Sequence, residues 1–156
     1  MLIDYNSFTG SGLPVSDNVS QERVNRCIRT AELAILKPRL GDTLYIDITT
    51  NPSQHTTEIN GGTLTDAGGN AIYVAGLKDA LFHITFAVLL FDEIQATTFG
   101  SVIKKDDYSE HAGLERLEKV AKLHMEEGLA YIKEITDYNG IDNTPLNAYD
   151  WVEELI

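Results

Sequence analysis

The chain has 156 residues, of which 43% are hydrophobic and 23% charged, and its formal net charge is −12. These values fit one globular domain spanning residues 1–156, and they exclude wholesale disorder. The acidity argues against a protein that coats nucleic acid, because phosphate binding needs clustered Lys and Arg. The single cysteine excludes an internal disulfide, and neither a signal peptide nor a membrane-spanning segment is predicted.

The first helix is predicted over about residues 16–40. Capping residues between Ser16 and Ser20 precede it, and we expect it to stop before Pro38 and Gly41. Cys27 lies on its apolar face, which indicates a small core residue rather than a nucleophile. The apolar positions recur at helical spacing: Val24, Cys27, Ile28, Ala31, Ala34 and Ile35.

A positive charge is concentrated on this helix. Residues 21–40 carry five basic and two acidic side chains in an otherwise acidic chain. Arg23, Arg26 and Arg29 fall outside the apolar arc, which makes them candidate contacts to an acidic partner surface. The alternative is a solvated helix face.

Residues 43–75 are predicted to form a β-type insertion. The run from Leu44 to Ile48 has the β-branched and aromatic character of a strand, and Gly61-Gly62 and Gly68-Gly69 are typical of turns. We expect one or two short hairpins that project from a helical body.

Two further helices follow, over about 77–97 and 109–137. Apolar residues surround nearly the whole circumference of the first, which predicts a central, buried helix. We expect it to break at Thr97-Thr98-Phe99-Gly100, and we expect Ser109 to cap the second. The second helix carries a long apolar stripe and ends at Asn139-Gly140. That stripe consists of Leu114, Leu117, Ala121, Met125, Gly128, Ile132 and Ile135.

The predicted fold is therefore mainly α, a small bundle of three to four helices with a hairpin-containing insertion and an extended C-terminal tail. The tail covers about residues 141–156. Residues 138–156 carry four acidic side chains, and the tail also has aromatic and aliphatic side chains that favour burial against a partner. The candidate contacts in it are Tyr149, Trp151, Val152, Leu155 and Ile156.

No motif for catalysis or cofactor binding is present. A di-iron bundle needs Glu-x-x-His motifs, but Pro52, Ala80, Tyr108 and Ala121 stand three residues before the four histidines. Zinc, calcium, serine-hydrolase and phosphate-loop spacings are absent as well. We expect no enzyme, no cofactor and no metal site, and we interpret His83 and His124 as core or interface histidines.

The order of segments resembles the head–tail connector (adaptor, head-completion) proteins of tailed bacteriophages, of the type found in crAss-like phages. The resemblance covers about residues 20–140. It is carried by the helix ending in Ala34 to Gly41, the Gly61-Gly62 insertion, the segment Tyr73 to Leu81, and the segment Thr97 to Lys104.

The resemblance implies a virion protein at the head–tail junction, made in the bacterial host. Such proteins form a homo-oligomeric ring, commonly of about twelve copies, through heterologous contacts. The ring docks on the portal protein and other connector rings, and DNA passes through its channel without specific binding. An acidic channel wall suits that passage, because it removes the counterion release that drives DNA binding.

Two alternatives remain open at this stage. A non-viral helical interaction module predicts a discrete monomer or dimer and no ring. A small-ligand-binding protein or enzyme predicts a pocket with convergent polar groups, and His83, Asp92 and His124 are the residues to inspect for it.

Overall fold

A computed structural model describes residues 1–15, 19–66, 68–100 and 107–141 of the chain. This part is mainly α-helical with one antiparallel hairpin, which confirms the predicted fold class. The elements in chain order are α1 (Tyr5–Thr9), α2 (Gln21–Thr30), a π-helical segment (Ala31–Leu36), α3 (Lys37–Thr50), α4 (Thr56–Asn60), β1 (Gly62–Thr65), β2 (Ala71–Val74), α5 (Leu77–Gly100) and α6 (Asp107–Tyr138).

The first helical run continues past Pro38, so the predicted stop before that residue is wrong. The π-helical segment precedes it, and Pro38 lies in the first turn of α3, where its missing N–H and fixed φ are tolerated. The Arg39 guanidinium donates to the Ile35 carbonyl oxygen at 3.0 Å, which satisfies a carbonyl of the widened turn. The real break is at Gly41, whose φ of 73° is in the region that favours glycine.

Residues 43–50 belong to α3, although their composition predicted a strand. Beyond the break at Gly41, Leu44 and Ile48 stand four residues apart, so the helical part of α3 that follows the break places them on one side. Leu40 and Ile48 are buried and Leu44 packs against the core. The burial of this side in tertiary packing outweighs the β propensity of the individual residues.

The insertion does contain the predicted hairpin, within a shorter span. β1 pairs with β2 so that Leu64 lies opposite Ile72 and Thr63 lies opposite Tyr73. One face of the hairpin turns Leu64 and Val74 into the core. Tyr73, on the other face, is 74% exposed.

α5 is the central helix, as predicted. Between residues 77 and 94, Asp79 and Glu93 are the only exposed side chains. The helix packs against α2, the π-helical segment, α4 and α6. Its predicted break at Thr97 to Gly100 is wrong, since the helix continues to Gly100. Threonine and glycine keep their backbone N–H groups, and glycine costs an interior helix position only about 1 kcal/mol.

α6 lies along α5 and supplies the other long side of the core. It begins at Asp107, two residues before the predicted cap, and Gly140 follows its end with a φ of 66° as expected of a helix stop. Ala121, Met125 and Ile132 of the predicted stripe are buried.

Glu32 is a fully buried acidic residue, which the sequence did not indicate. Glu32, in the π-helical segment, is 0% exposed and accepts hydrogen bonds from the Tyr45 hydroxyl (2.9 Å) and the Leu2 backbone N–H (3.0 Å). Burial, together with the hydrogen bond to Glu32, raises the pKa of Tyr45 to about 12. Glu32 thereby ties the N-terminal segment to α3.

Candidate functional site

Two histidines and a carboxylate from the two long helices meet at one place. His83 lies on α5, and His124 and Glu127 lie one turn apart on α6. The two histidine Nδ1 atoms are 2.8 Å apart, and the Nδ1 atom of His83 is 3.1 Å from the Oε2 atom of Glu127. In the part of the chain that the structure describes, these residues form the one group of three His, Cys, Asp or Glu side chains with converging ligand atoms.

The close approach of α5 and α6 positions this cluster, which we call the histidine cluster. Gly128 follows Glu127 directly, and a Cβ atom there would lie 2.8 Å from the Ala80 carbonyl oxygen and 2.5 Å from Ile84 Cγ1. Only glycine fits this contact without a shift of a neighbour. Because Ala80 and Ile84 flank His83 along α5, the same contact brings the two imidazoles within reach of each other.

Neighbouring aromatic side chains support each member of the cluster. The Tyr131 hydroxyl donates to Oε1 of Glu127 at 2.9 Å, which leaves Oε2 turned toward His83. The Tyr131 ring also packs edge-on against His83, with a centroid distance of 5.7 Å. The Phe86 ring packs edge-on against His124 at 4.9 Å. Both imidazoles are therefore restricted in rotation.

The protonation of the cluster is constrained by its geometry. The His83 Nδ1 atom faces the Nδ1 atom of His124 and a carboxylate oxygen of Glu127. The contact between the two Nδ1 atoms holds one proton, which either ring can carry, because two N–H groups cannot point at each other. Burial, together with the nearby His83, lowers the pKa of His124 below its usual value. Three lone-pair donors therefore converge around at most one shared proton when His83 and His124 are neutral.

No motif in the sequence predicts this cluster, for a definable reason. The di-iron motif is Glu-x-x-His, whereas α6 carries the reverse order, His124-x-x-Glu127, and His83 stands 41 positions away on α5. His83 and His124 were singled out for inspection, and the structure brings them together. Asp92, the third residue singled out, lies nine residues beyond His83, roughly 13 Å along the helix.

Asp92 instead receives the arginines of α2. Its Oδ2 atom lies 2.5 Å from Arg23 Nε and its Oδ1 atom 3.1 Å from Arg26 Nη2. Arg23 Nη1 also lies 2.7 Å from a carboxylate oxygen of Glu93. Two of the three arginines predicted to contact a partner thus make ion pairs inside the chain, whereas Arg29 is exposed and makes no ion pair with the described residues.

A groove of about 710 Å³ lies where the N-terminal segment crosses α2, and we call it the N-terminal groove. It combines the two outer arginines with exposed apolar side chains, Leu33 being 42% exposed. Its lining consists of Met1, Asp4, Tyr5, Asn6, Gln21, Asn25, Arg26, Arg29 and Leu33. The tail residues Tyr149, Trp151, Val152, Leu155 and Ile156 lie outside the described residues.

A second histidine makes a different arrangement between α3 and α4. The Nε2 atom of His55 lies 3.0 Å from Asp47 and its Nδ1 atom 3.3 Å from Glu58. Burial opposes protonation, but the hydrogen bonds to Asp47 and Glu58 raise the pKa of His55.

Cys27 is a buried core residue, as predicted. It is 2% exposed, and burial raises the pKa of its thiol to about 11, so it is held as a neutral thiol. No helix among the described residues is long and apolar enough to cross a membrane.

Comparisons with known proteins place the chain in a family without assigning it a role. Neither a curated protein nor a solved structure matches it. The family model that matches covers residues 36–138, which include the histidine cluster and the hairpin but not the arginines of α2 or the tail. The chain belongs to DUF6712, a family of unknown function.

Proposed function

We propose that this chain is a structural virion protein that assembles as a ring, the head–tail connector that its sequence resembles. The observation that carries the proposal is the N-terminal groove, where Arg26 and Arg29 lie beside exposed apolar side chains in a chain of net charge −12. Its two arginines outnumber the one acidic side chain of the lining, Asp4, so this partly apolar groove favours an acidic, partly apolar occupant.

The C-terminal segment of a neighbouring copy has that composition. Residues 138–156 carry four acidic side chains and no basic one, interleaved with Trp151, Leu155 and Ile156. A segment of one copy that binds a groove on the next makes a heterologous contact, and such contacts close into a ring when the rotation permits. The ring would then dock on the portal protein and line the DNA channel with acidic surface.

Arg29 is the arginine that this contact depends on most. Arg23 is held by Asp92 and Glu93, and Arg26 shares Asp92, so neither has its full charge available to a partner. Arg29 lines the groove and has no acidic partner among the described residues.

The mass of the untagged chain, alone and mixed with the portal protein of the same genome, tests the assembly. We expect light scattering to detect a discrete particle of about twelve copies in the mixture. A chain that stays a monomer or dimer with and without portal protein contradicts the proposal and favours the interaction-module alternative.

Trp151 provides a direct report on the tail, because it is the only tryptophan of the chain. If the tail of one copy enters the groove of another, the Trp151 emission maximum shifts to shorter wavelength as protein concentration rises into the assembly range. An emission maximum typical of exposed indole in the assembled particle contradicts the groove as the site of the tail.

Charge reversal at Arg29 tests the contact against a matched control. The variant Arg29→Glu is expected to weaken assembly at least about ten-fold, because it places a carboxylate opposite the acidic tail. Lys119→Glu makes the same charge change at an exposed position of α6 and is expected to assemble like the unmodified chain. Equal assembly of both variants removes the groove from the proposal.

A further inference from the structure

We propose that His83, His124 and Glu127 bind one borderline divalent transition-metal ion, of which Zn²⁺ is the first candidate. The site joins α5 to α6 and is independent of the ring assembly proposed above. No motif in the sequence indicates that these two imidazoles and this carboxylate come together.

The distances between the donor atoms suit a shared ion. Zinc binds histidine nitrogen and carboxylate oxygen at about 2.0–2.2 Å, so two ligands of one ion at bond angles of about 90–110° lie about 2.8–3.5 Å apart. The two distances to His83 Nδ1, 2.8 Å from His124 and 3.1 Å from Glu127, fall in that range. All three donor atoms lie within 4.8 Å of one another, so a modest closure completes the set.

The donor types select the class of ion. Two imidazole nitrogens and one carboxylate oxygen suit zinc and its neighbours in the first transition row. Calcium and magnesium prefer sites built of oxygen alone, and copper(I) prefers thiolate or thioether sulfur. Three protein ligands also leave a coordination position for water.

The surroundings hold the ligands in place before any ion arrives. Tyr131 fixes the carboxylate by its hydrogen bond to the Oε1 atom of Glu127, and Phe86 and Tyr131 pack against the imidazoles. Such outer contacts orient ligands and contribute to affinity. The cluster is also accessible, because the His83 side chain is 20% and the Glu127 side chain 40% exposed.

A bound ion removes the proton conflict of the cluster. Without it, the two Nδ1 atoms face each other across one proton, which either ring can carry. A cation accepts all three lone pairs at once, and it links the two longest helices at the contact that Gly128 makes possible. The expected consequence is that the ion links α5 to α6 and, because it binds only the folded chain, raises the free energy of unfolding.

Calorimetric titration of the untagged full-length chain with zinc chloride, after treatment with EDTA and dialysis, tests the site. We expect one ion per chain, unaffected by millimolar Mg²⁺. His124→Ala is expected to lose binding, and Glu127→Gln to bind at least about ten-fold more weakly. His55→Ala serves as the matched control, because it removes a histidine that also lies beside carboxylates, and it is expected to bind zinc like the unmodified chain.

Far-UV circular dichroism of each variant establishes that it is folded before titration. Cobalt(II) gives a second readout, since its visible absorption reports nitrogen and oxygen coordination in the unmodified chain and in His55→Ala. Zinc affinity that is the same in His124→Ala, Glu127→Gln and the unmodified chain overturns the proposal. So does the absence of zinc binding to the unmodified chain, or its loss in His55→Ala instead.

Discussion

The molecule has two groups of histidine and carboxylate side chains, one around His55 and one at the histidine cluster, and they differ in how the same residue types are arranged. His55 presents its two ring nitrogens to two different carboxylates, Asp47 and Glu58, so a single doubly protonated imidazole satisfies every group. At the histidine cluster, two imidazoles and a carboxylate turn their acceptor atoms toward one point. The first arrangement pairs one imidazole with two carboxylates, whereas the second brings two imidazoles to one carboxylate.

The pKa shifts of the two groups follow this difference. Although burial opposes it, pairing with Asp47 and Glu58 raises the pKa of His55, whereas burial and a neighbouring imidazole lower the pKa of His124. A histidine beside carboxylates is therefore not by itself a sign of a metal site. The number of protons available to the converging atoms separates the two cases.

The largest expected effect is the stabilisation of the chain by zinc. At a free zinc concentration one hundred times the dissociation constant, a ligand that binds only the folded state raises the free energy of unfolding by about 2.7 kcal/mol. Urea denaturation with and without zinc measures this gain, which should vanish in His83→Ala and persist in His55→Ala. A gain that persists in His83→Ala would contradict zinc binding at the histidine cluster and would leave no difference in zinc binding between the two histidine groups.

The next effect concerns the helix contact under the histidine cluster. Gly128→Ala places a methyl group 2.8 Å from the Ala80 carbonyl oxygen, and such overpacking costs about 1–3 kcal/mol. Gly113→Ala is the matched control in α6, because its Cβ atom meets nothing within 4 Å. That control should gain up to about 1 kcal/mol from helix propensity.

Both glycine variants are compared by urea denaturation in EDTA, so that bound metal does not contribute. A stability gain in Gly128→Ala equal to that in Gly113→Ala would contradict the close contact of α5 and α6. It would also mean that Gly128 does not account for the short distance between His83 and His124.

A smaller effect is expected at the support of the carboxylate. Tyr131→Phe keeps the ring that packs on His83 and removes the hydroxyl that holds Glu127. Loss of one such outer hydrogen bond lowers metal affinity about ten-fold, or about 1.4 kcal/mol. Calorimetric titration measures it, and unchanged affinity would show that Glu127 needs no support. Tyr138→Phe is the control tyrosine of α6, because its hydroxyl contacts the Thr65 carbonyl instead.

The comparison also shows where sequence reasoning succeeds on this fold. The helical period of α6 and the uniformly apolar α5 predicted both long helices, because burial dominates such patterns. The strand predicted at Leu44 to Ile48 is wrong, since the same residues also fit a helix that turns Leu44 and Ile48 toward the core. The short apolar run does not decide between the two periods.

The histidine cluster lay beyond sequence reasoning for another reason. His83 and His124 are separated by 41 positions, and their approach depends on Gly128, which in the sequence is one small residue in an apolar stripe. His124-x-x-Glu127 was the one local signal, and on an acidic helix that spacing is common. Asp92, named with the two histidines as a residue to inspect for a pocket, pairs with Arg23 and Arg26 instead of joining them.

The smallest effect is the pH dependence that His55 gives to stability. Its folded-state pKa is raised above the usual 6.5, so the unfolded chain releases the proton first as pH increases. The stabilisation by His55 is thus complete below about pH 6.5 and is lost as pH rises through the folded-state pKa. Urea denaturation between pH 5 and 8, in EDTA, measures this decline against a variant without the ionisable ring, because the lowered pKa of His124 makes an opposite contribution in the same interval.

The variant His55→Gln isolates that contribution. It keeps a polar side chain between Asp47 and Glu58 but cannot be protonated, so its free energy of unfolding should fall less over the same pH interval. Stability profiles that run parallel in the two proteins would mean that His55 holds no extra proton in the folded chain. In that case its two carboxylates would face a neutral ring, and the contrast with the histidine cluster would rest on geometry alone.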